Sequence, residues 1–210
     1  MTIESALPWL SAVAAIGAAG LAGGAPARRG DWLKAVALGA LAVFAYFRWI
    51  APAAIPLSLT LQAVGEAALP RGAERWRSWR AVFPIASWLV LANLFWSSGE
   101  GNELFVTDAI KAGLLALLLV GAGLGVRRAR SVLVSMRIGG ALAAASVVLM
   151  AAMALTLDWA LWPALAGAGA IAGAEALRLM LAEQRSAWTW KGLWTLQFAG
   201  YGAVSYAFLR

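Results

Sequence analysis

Two carboxylates stand where carboxylates are rare. Glu66 follows Gly65 inside the apolar run 55–69, IPLSLTLQAVGEAAL, and Glu175 lies inside AGAGAIAGAEALRLML. Gln62 precedes Glu66 by one helical turn and shares its face. A charged group facing lipid costs about 3 kcal/mol or more, so Glu66 is expected to face a protein interior or a wet cavity. Two carboxylates brought together in a low-dielectric site do not both ionise readily. One keeps its proton and can serve as a general acid near neutral pH. The chain contains no cysteine and no histidine. Disulfides, thiolate metal sites, Cys nucleophiles, the usual haem ligand and the usual general base are thereby excluded. No metal and no cofactor is expected, and acid–base chemistry falls to carboxylates, Tyr, Lys or water.

The elements that position these acids are apolar. The chain has 210 residues, 62% of them hydrophobic and 13% charged, whereas water-soluble chains carry roughly 25% charged residues. The expected fold is all-α, a single bundle of about eight transmembrane helices. Eight apolar segments can be marked, at 7–25, 32–47, 51–69, 81–96, 109–126, 132–157, 159–181 and 188–209. Most reach the ~20 residues that a spanning helix needs, and the break near Asp158 is the least distinct. Pro52, Pro56, Pro84 and Pro163 fall near segment starts, where helices tolerate proline best. The N-terminal MTIES lacks a basic region, so the first segment reads as a retained span and not as a signal peptide.

Charge sets the orientation. Fourteen of the seventeen basic residues lie in the odd-numbered loops or within two helical turns of them, and the fourth loop, SSGEGNELFVTD, is acidic. Eight spans with odd loops in the cytoplasm and both termini outside produce this alternation. The expected location is a bacterial inner membrane. Most of the twelve Trp cluster near segment ends, as an interfacial belt would. Gly20/Gly24, Gly121/Gly125 and Gly169/Gly173 have the spacing of close helix packing.

Counting from the inner ends of the spans puts Lys34, Glu66, Glu175 and Arg178 in one cytoplasm-facing layer, with Gln197 and Tyr201 somewhat deeper. This layer has two readings. It forms a polar pocket opening to the inner leaflet, or Glu66–Lys34 and Glu175–Arg178 are ion pairs that hold helices together. Asn93, in LVLANLFW, counts toward the outer end, away from the carboxylates. Lys111 reads as a lysine snorkelling at the outer start of the fifth span.

A lysine opening the second span, a Gly-acid pair in the third, an Ala-polar pair in an aromatic-rich fourth and a small-residue run ending in an acid in the seventh form a pattern. It resembles the lysoplasmalogenase (YhhN) family of integral membrane proteins, across nearly the whole chain in layout but on few residues. The family's Gly-Asp pair falls on Gly65-Glu66 and its Ser-Asp pair on Ala174-Glu175. Its Ala-His pair falls on Ala92-Asn93, with the following aromatic matched by Trp96, and its Lys-Pro on Lys34-Ala35. Both aspartates are thus glutamates, the histidine is an asparagine and the proline is absent. The resemblance implies hydrolysis of the vinyl ether of a lysoplasmalogen to a fatty aldehyde and a glycerophospho-alcohol. Protonation at carbon gives an oxocarbenium ion that water attacks, which needs one protonated carboxyl and one carboxylate, as in glycoside hydrolysis. Glu66 and Glu175 would take these catalytic roles. Lys34 and Arg178 would hold the lipid phosphate, and Gln62, Asn93 and Gln197 would complete the substrate site.

Other functions remain open from the sequence. A divergent member can keep the fold as a lipid-binding protein or accessory subunit without turnover. A small transporter would use the same two acids, but the chain shows neither clear inverted repeats nor broken helices. Lysophospholipid is the expected partner, with a second copy or a membrane-complex subunit as further ones. Nucleic acid is not expected, because the basic residues are spread over four short loops.

Overall fold

The computed structural model describes residues 3–21, 27–48, 52–67, 77–99, 108–128, 137–180 and 187–209. Among them the architecture is all-α, with eight helices. These are α1 (Ile3–Leu21), α2 (Ala27–Phe47), α3 (Ala54–Ala67), α4 (Arg77–Ser98), α5 (Ala109–Arg128), α6 (Arg137–Ala154), α7 (Trp162–Met180) and α8 (Ala187–Leu209). A 3₁₀ turn, Trp159–Leu161, precedes α7, and the Asp158 side chain caps it by accepting from the Ala160 N–H.

Each expected segment contains one helix, with three shifts of boundary. The first helix begins at Ile3, so Pro8 lies inside it. The second begins at Ala27, which puts Lys34 two turns in. The fourth begins at Arg77, so Pro84 is interior and not near its start. Arginine is a good helix former, and its charge does not stop the helix from running back through Arg77 and Arg80.

Seven helices close a ring. α1 packs on α2, α2 on α3, α3 on α4, α4 on α6, α6 on α7, α7 on α8, and α8 returns to α1. α5 stands outside this ring against α6 and α7. Alanine makes up much of the interior, beside larger groups such as Leu38, Phe95, Met150 and Tyr201. Ala14, Ala18, Ala37, Ala42, Ala45, Ala154, Ala164, Ala168 and Ala174 are buried, while Trp9, Val13, Val43, Leu57, Leu89, Leu149, Leu177 and Leu196 are exposed on outer faces. Alanines let helix axes approach closely.

α7 and α8 approach closely. A Cβ added at Gly167 would lie 2.6 Å from the Gly200 carbonyl oxygen, and one added at Gly200 would lie 2.7 Å from the Gly167 carbonyl oxygen. Neither glycine belongs to the pairs singled out by spacing. Gly121, Gly169 and Gly173 have open space where a Cβ would stand, so none of them makes a close helix crossing there among the described residues. The surroundings of Gly20, Gly24 and Gly125 lie outside what is described.

Among the described residues, one apolar stretch, Trp159–Arg178, is long and apolar enough to cross a membrane by length and composition. Pro8–Ala18, Trp32–Phe47, Val82–Ser98, Ala109–Leu124 and Ala141–Ala154 are shorter apolar helices.

Lys111 corrects an expectation. It does not snorkel, because its side chain is completely buried. Its Nζ donates to the Leu157 carbonyl oxygen at 2.6 Å and lies 5.3 Å from the centre of the Trp159 ring. Leu157 closes the turn after α6, where unpaired carbonyls gather and a cation is favoured. Asp108 completes this latch. Its Oδ1 accepts from the Ile110 and Lys111 N–H groups, and its Oδ2 accepts from Trp159 Nε1 at 2.7 Å. The Lys111 N–H, foremost among these donors, holds the Asp108 carboxyl below the usual carboxylate range. The contribution of Asp108 to stability is therefore present above that range and is lost as pH falls through the lowered value.

Replacing Lys111 with Met leaves the buried Leu157 carbonyl without its donor. A cost of about 1–3 kcal/mol is expected in thermal unfolding of the purified protein. A lysine at the surface would cost within about 0.5 kcal/mol.

Candidate functional site

The buried face of α3 carries Ile55, Ser58, Leu59 and Gln62. The same stripe reaches Glu66 one turn further, next to the end of the helix. Gly65 faces α4, where an added Cβ would lie 3.2 Å from Phe83 Cβ and 3.5 Å from Pro84 Cδ. The Gly-Glu pair is thus explained by packing: the glycine brings α3 close to α4 and the acid faces inward.

Lys34 on α2 meets Glu66 at 3.9 Å, and its ammonium lies 5.2 Å from the centre of the Trp194 ring. On the far wall, Glu175 and Arg178 are one turn apart on α7. Glu175 Oε1 lies 3.1 Å from Arg178 Nη1 and accepts from Gln197 Nε2 at 3.0 Å. Arg178 Nη2 donates to Gln197 Oε1 at 2.9 Å. These contacts close a triangle. Its geometry also orients the Gln197 amide, since arginine only donates and a carboxylate accepts. Trp190 flanks Arg178, with its ring centre 6.0 Å from the guanidinium.

α3 and α7 are not packed side by side, yet their acids converge. Glu66 and Lys34 both act electrostatically on Glu175, and Glu66 acts on Arg178 as well. The four charged groups form one cluster facing the bundle interior, with side chains 14% (Lys34), 23% (Glu66), 13% (Glu175) and 30% (Arg178) exposed. Two of the groups are cations and two are carboxylates, so the formal charges balance.

A hydroxyl network continues from the cluster into the core. Tyr201, one turn beyond Gln197 on α8, is buried and accepts from Trp88 Nε1 at 3.2 Å. It also hydrogen-bonds Ser87, and Ser87 Oγ lies 2.7 Å from Ser58 Oγ. Three helices are joined in this way: α3, α4 and α8. Ser58, Ser87 and Trp88 carried no signal in the sequence beyond a polar or aromatic residue in an apolar run, and their partners are distant in the chain.

The structure therefore brings together Lys34, Glu66, Glu175, Arg178 and Gln197, with Gln62 on the same interior face. It does not bring in Asn93. That residue is exposed on the outer face of α4, between the buried Ala92 and Leu94. The buried face of α4 is defined by Ser87, Trp88, Leu91, Ala92, Leu94 and Phe95, and helical periodicity turns position 93 away from it. The substrate-binding role expected for Asn93 is withdrawn on this ground.

The residues suit proton transfer more than metal binding. Among the described residues no group of three or more His, Cys, Asp or Glu could hold a metal ion. Compared with known protein families, with characterised proteins and with solved structures, the chain matches none.

Proposed function

We propose that this chain is an integral membrane hydrolase of the lysoplasmalogenase kind, acting on the vinyl ether of a single-chain phospholipid. The observation that carries the reading is the convergence of Glu66 and Glu175 on one interior cluster. Their helices do not pack side by side, so packing alone gives no reason to bury both acids there. One carboxyl protonates the vinyl ether carbon; the other, ionised, steadies the oxocarbenium ion and takes a proton from the attacking water. The hemiacetal that results collapses to a fatty aldehyde and the glycerophospho-alcohol. The inward polar groups and the outward large apolar side chains support a lipid surround, because a long apolar exterior is costly in water. In this reading the odd-numbered loops face the cytoplasm of a bacterial cell and both termini lie outside.

A second reading has one specific observation behind it. The position that matches the family's histidine is Asn93, and it faces outward. A lipid-binding protein or accessory subunit that kept the cluster for headgroup contact and lost the chemistry fits this. Aldehyde release from a lysoplasmalogen by the purified protein in detergent separates the two. Release proportional to protein and time, with no added metal, is the expected result. A folded sample that releases no aldehyde across several headgroups and pH values leaves the binding protein.

A further inference from the structure

Two donors in the cluster have no acceptor among the described residues. Gln62 is 3% exposed and its Nε2 is unpartnered. Arg178 spends Nη1 and Nη2 on Glu175 and Gln197, but its buried Nε is also unpartnered. Buried polar groups are almost always hydrogen-bonded, and an unmade bond in such a place calls for a reason. The chemistry of the two atoms narrows that reason. Both are N–H donors, so a ligand that offers ammonium or amide N–H groups fits neither. What fits is a group with several acceptor oxygens and no obligatory donor.

Position narrows it further. Gln62 stands one turn before Glu66 on the buried face of α3, and Arg178 stands on α7 within electrostatic reach of Glu66. Both donors are therefore linked to Glu66, Gln62 through the shared face of α3 and Arg178 through its electrostatic influence. Two cations lie there, Arg178 and Lys34, and a guanidinium edge is well matched to phosphate oxygens. Glu66 and Glu175 stand on the same interior, so an anion must sit on the donor side of each. Gln197 assists by tying Glu175 to Arg178.

We propose that Arg178 Nε–H and Gln62 Nε2–H together hold a phosphate oxyanion, with Lys34 balancing its charge. On the lipid reading above, the oxyanion is the headgroup phosphate of the lysophospholipid. The proposal rests on that reading for the source of the phosphate and not on turnover. Gln62, a neutral amide, then distinguishes this site from a plain pair of cations.

The test uses the full chain in detergent and three phosphate probes: inorganic phosphate, glycerol 3-phosphate and an ester-linked lysophosphatidylcholine. Glycerol and a monoacylglycerol of the same chain length are the neutral controls. Affinities are read by titration calorimetry, and thermal unfolding is followed without ligand. Lysophosphatidylcholine is expected to bind at least tenfold tighter than the monoacylglycerol. Gln62→Leu is expected to reduce that ratio several-fold while leaving the ligand-free Tm unchanged or raised, because it removes an unpaired buried amide. Arg178→Lys keeps the charge and loses the Nε–H, and it should reduce the ratio in the same way. The soluble probes tell the source. If they bind and respond to both variants, free phosphate or a phosphorylated metabolite suffices; if only the lysolipid does, the headgroup is the ligand. Equal binding of the phosphate lipid and the neutral lipid overturns the proposal, and an ordered water then takes the donors. A fall in ligand-free Tm for Gln62→Leu overturns it too, since the amide is then a structural bond. Variant-sensitive phosphate binding without aldehyde release removes the hydrolase and leaves this site standing. Turnover with an unaltered KM in Gln62→Leu does the reverse.

Discussion

For the proposed hydrolase, Glu66→Gln and Glu175→Gln are each expected to lower kcat for aldehyde release by about 10²–10⁴-fold, the range that one positioned acid or base contributes. Glutamine keeps the size of the side chain and can keep one acceptor oxygen. It carries no proton to give to the vinyl ether carbon and no charge to steady the cation. The two variants should differ in their structural effect. Glu66 touches Lys34 only at 3.9 Å, so its loss leaves the bundle nearly as it was. Glu175 is the acceptor for both Arg178 and Gln197, so its loss opens the triangle and lowers Tm. The double variant should be no slower than the slower single one, because two groups that act in one step fail together. Single-turnover aldehyde release with circular dichroism on the same samples checks all three statements. If Glu175 were an ion pair for structure alone, Glu175→Gln would lower Tm and leave turnover within a few-fold of the parent.

Much of the scaffold was legible because it follows from periodicity and charge. The eight apolar segments locate the eight helices, and Asp158 marks the turn between α6 and α7. Gln62 and Glu66 share a face because they are four apart, and Glu175 meets Arg178 because they are three apart. Even the Lys34–Glu66 contact follows from depth, counted at a fixed rise per residue. Other features depend on which helices become neighbours, and a single sequence does not encode that locally. Lys111 has as its partner a backbone carbonyl at Leu157, which leaves no side-chain signature. Ser58 and Ser87 pair across α3 and α4, and Trp88 reaches Tyr201 across 113 positions of sequence. Asn93 failed for a different reason. Its place in the substrate site came from the resemblance, whereas Ala92, Leu94 and Phe95 fix the inward face of α4. The sequence places Gln62 beside Glu66 and in the substrate site, but it does not show that its amide lacks a partner. Its unpaired amide is a fact of packing.

Gly167→Ala is expected to destabilise the bundle by about 1–3 kcal/mol or more, the cost of overpacking a tight interior. The new Cβ would meet the Gly200 carbonyl oxygen at 2.6 Å and Val204 Cγ2 at 2.9 Å. A flexible side chain could rotate away, but a carbonyl held in the α8 hydrogen-bond ladder can move only with its helix. Gly200→Ala meets the mirror of this clash, at the Gly167 carbonyl oxygen and Ile171 Cγ1, and should behave alike. The controls lie close by on the same helix. Gly169→Ala and Gly173→Ala place their Cβ in open space and should be neutral or slightly stabilising, since alanine is the better helix former. Thermal unfolding of the four variants therefore separates a specific helix crossing from a merely glycine-rich composition. The consequence reaches the site, because the crossing fixes the spacing between α7, which carries Glu175 and Arg178, and α8, which carries Gln197. Pushing the helices apart lengthens the 3.0 Å Gln197–Glu175 bond and the 2.9 Å Arg178–Gln197 bond together. A displacement of about 1 Å in a positioned group costs on the order of 10²-fold in rate. Gly167→Ala that still folds should thus lose turnover although it touches no charged residue, whereas a Gly167→Ala protein with parental Tm and parental turnover would show that the α7–α8 crossing does not set the cluster.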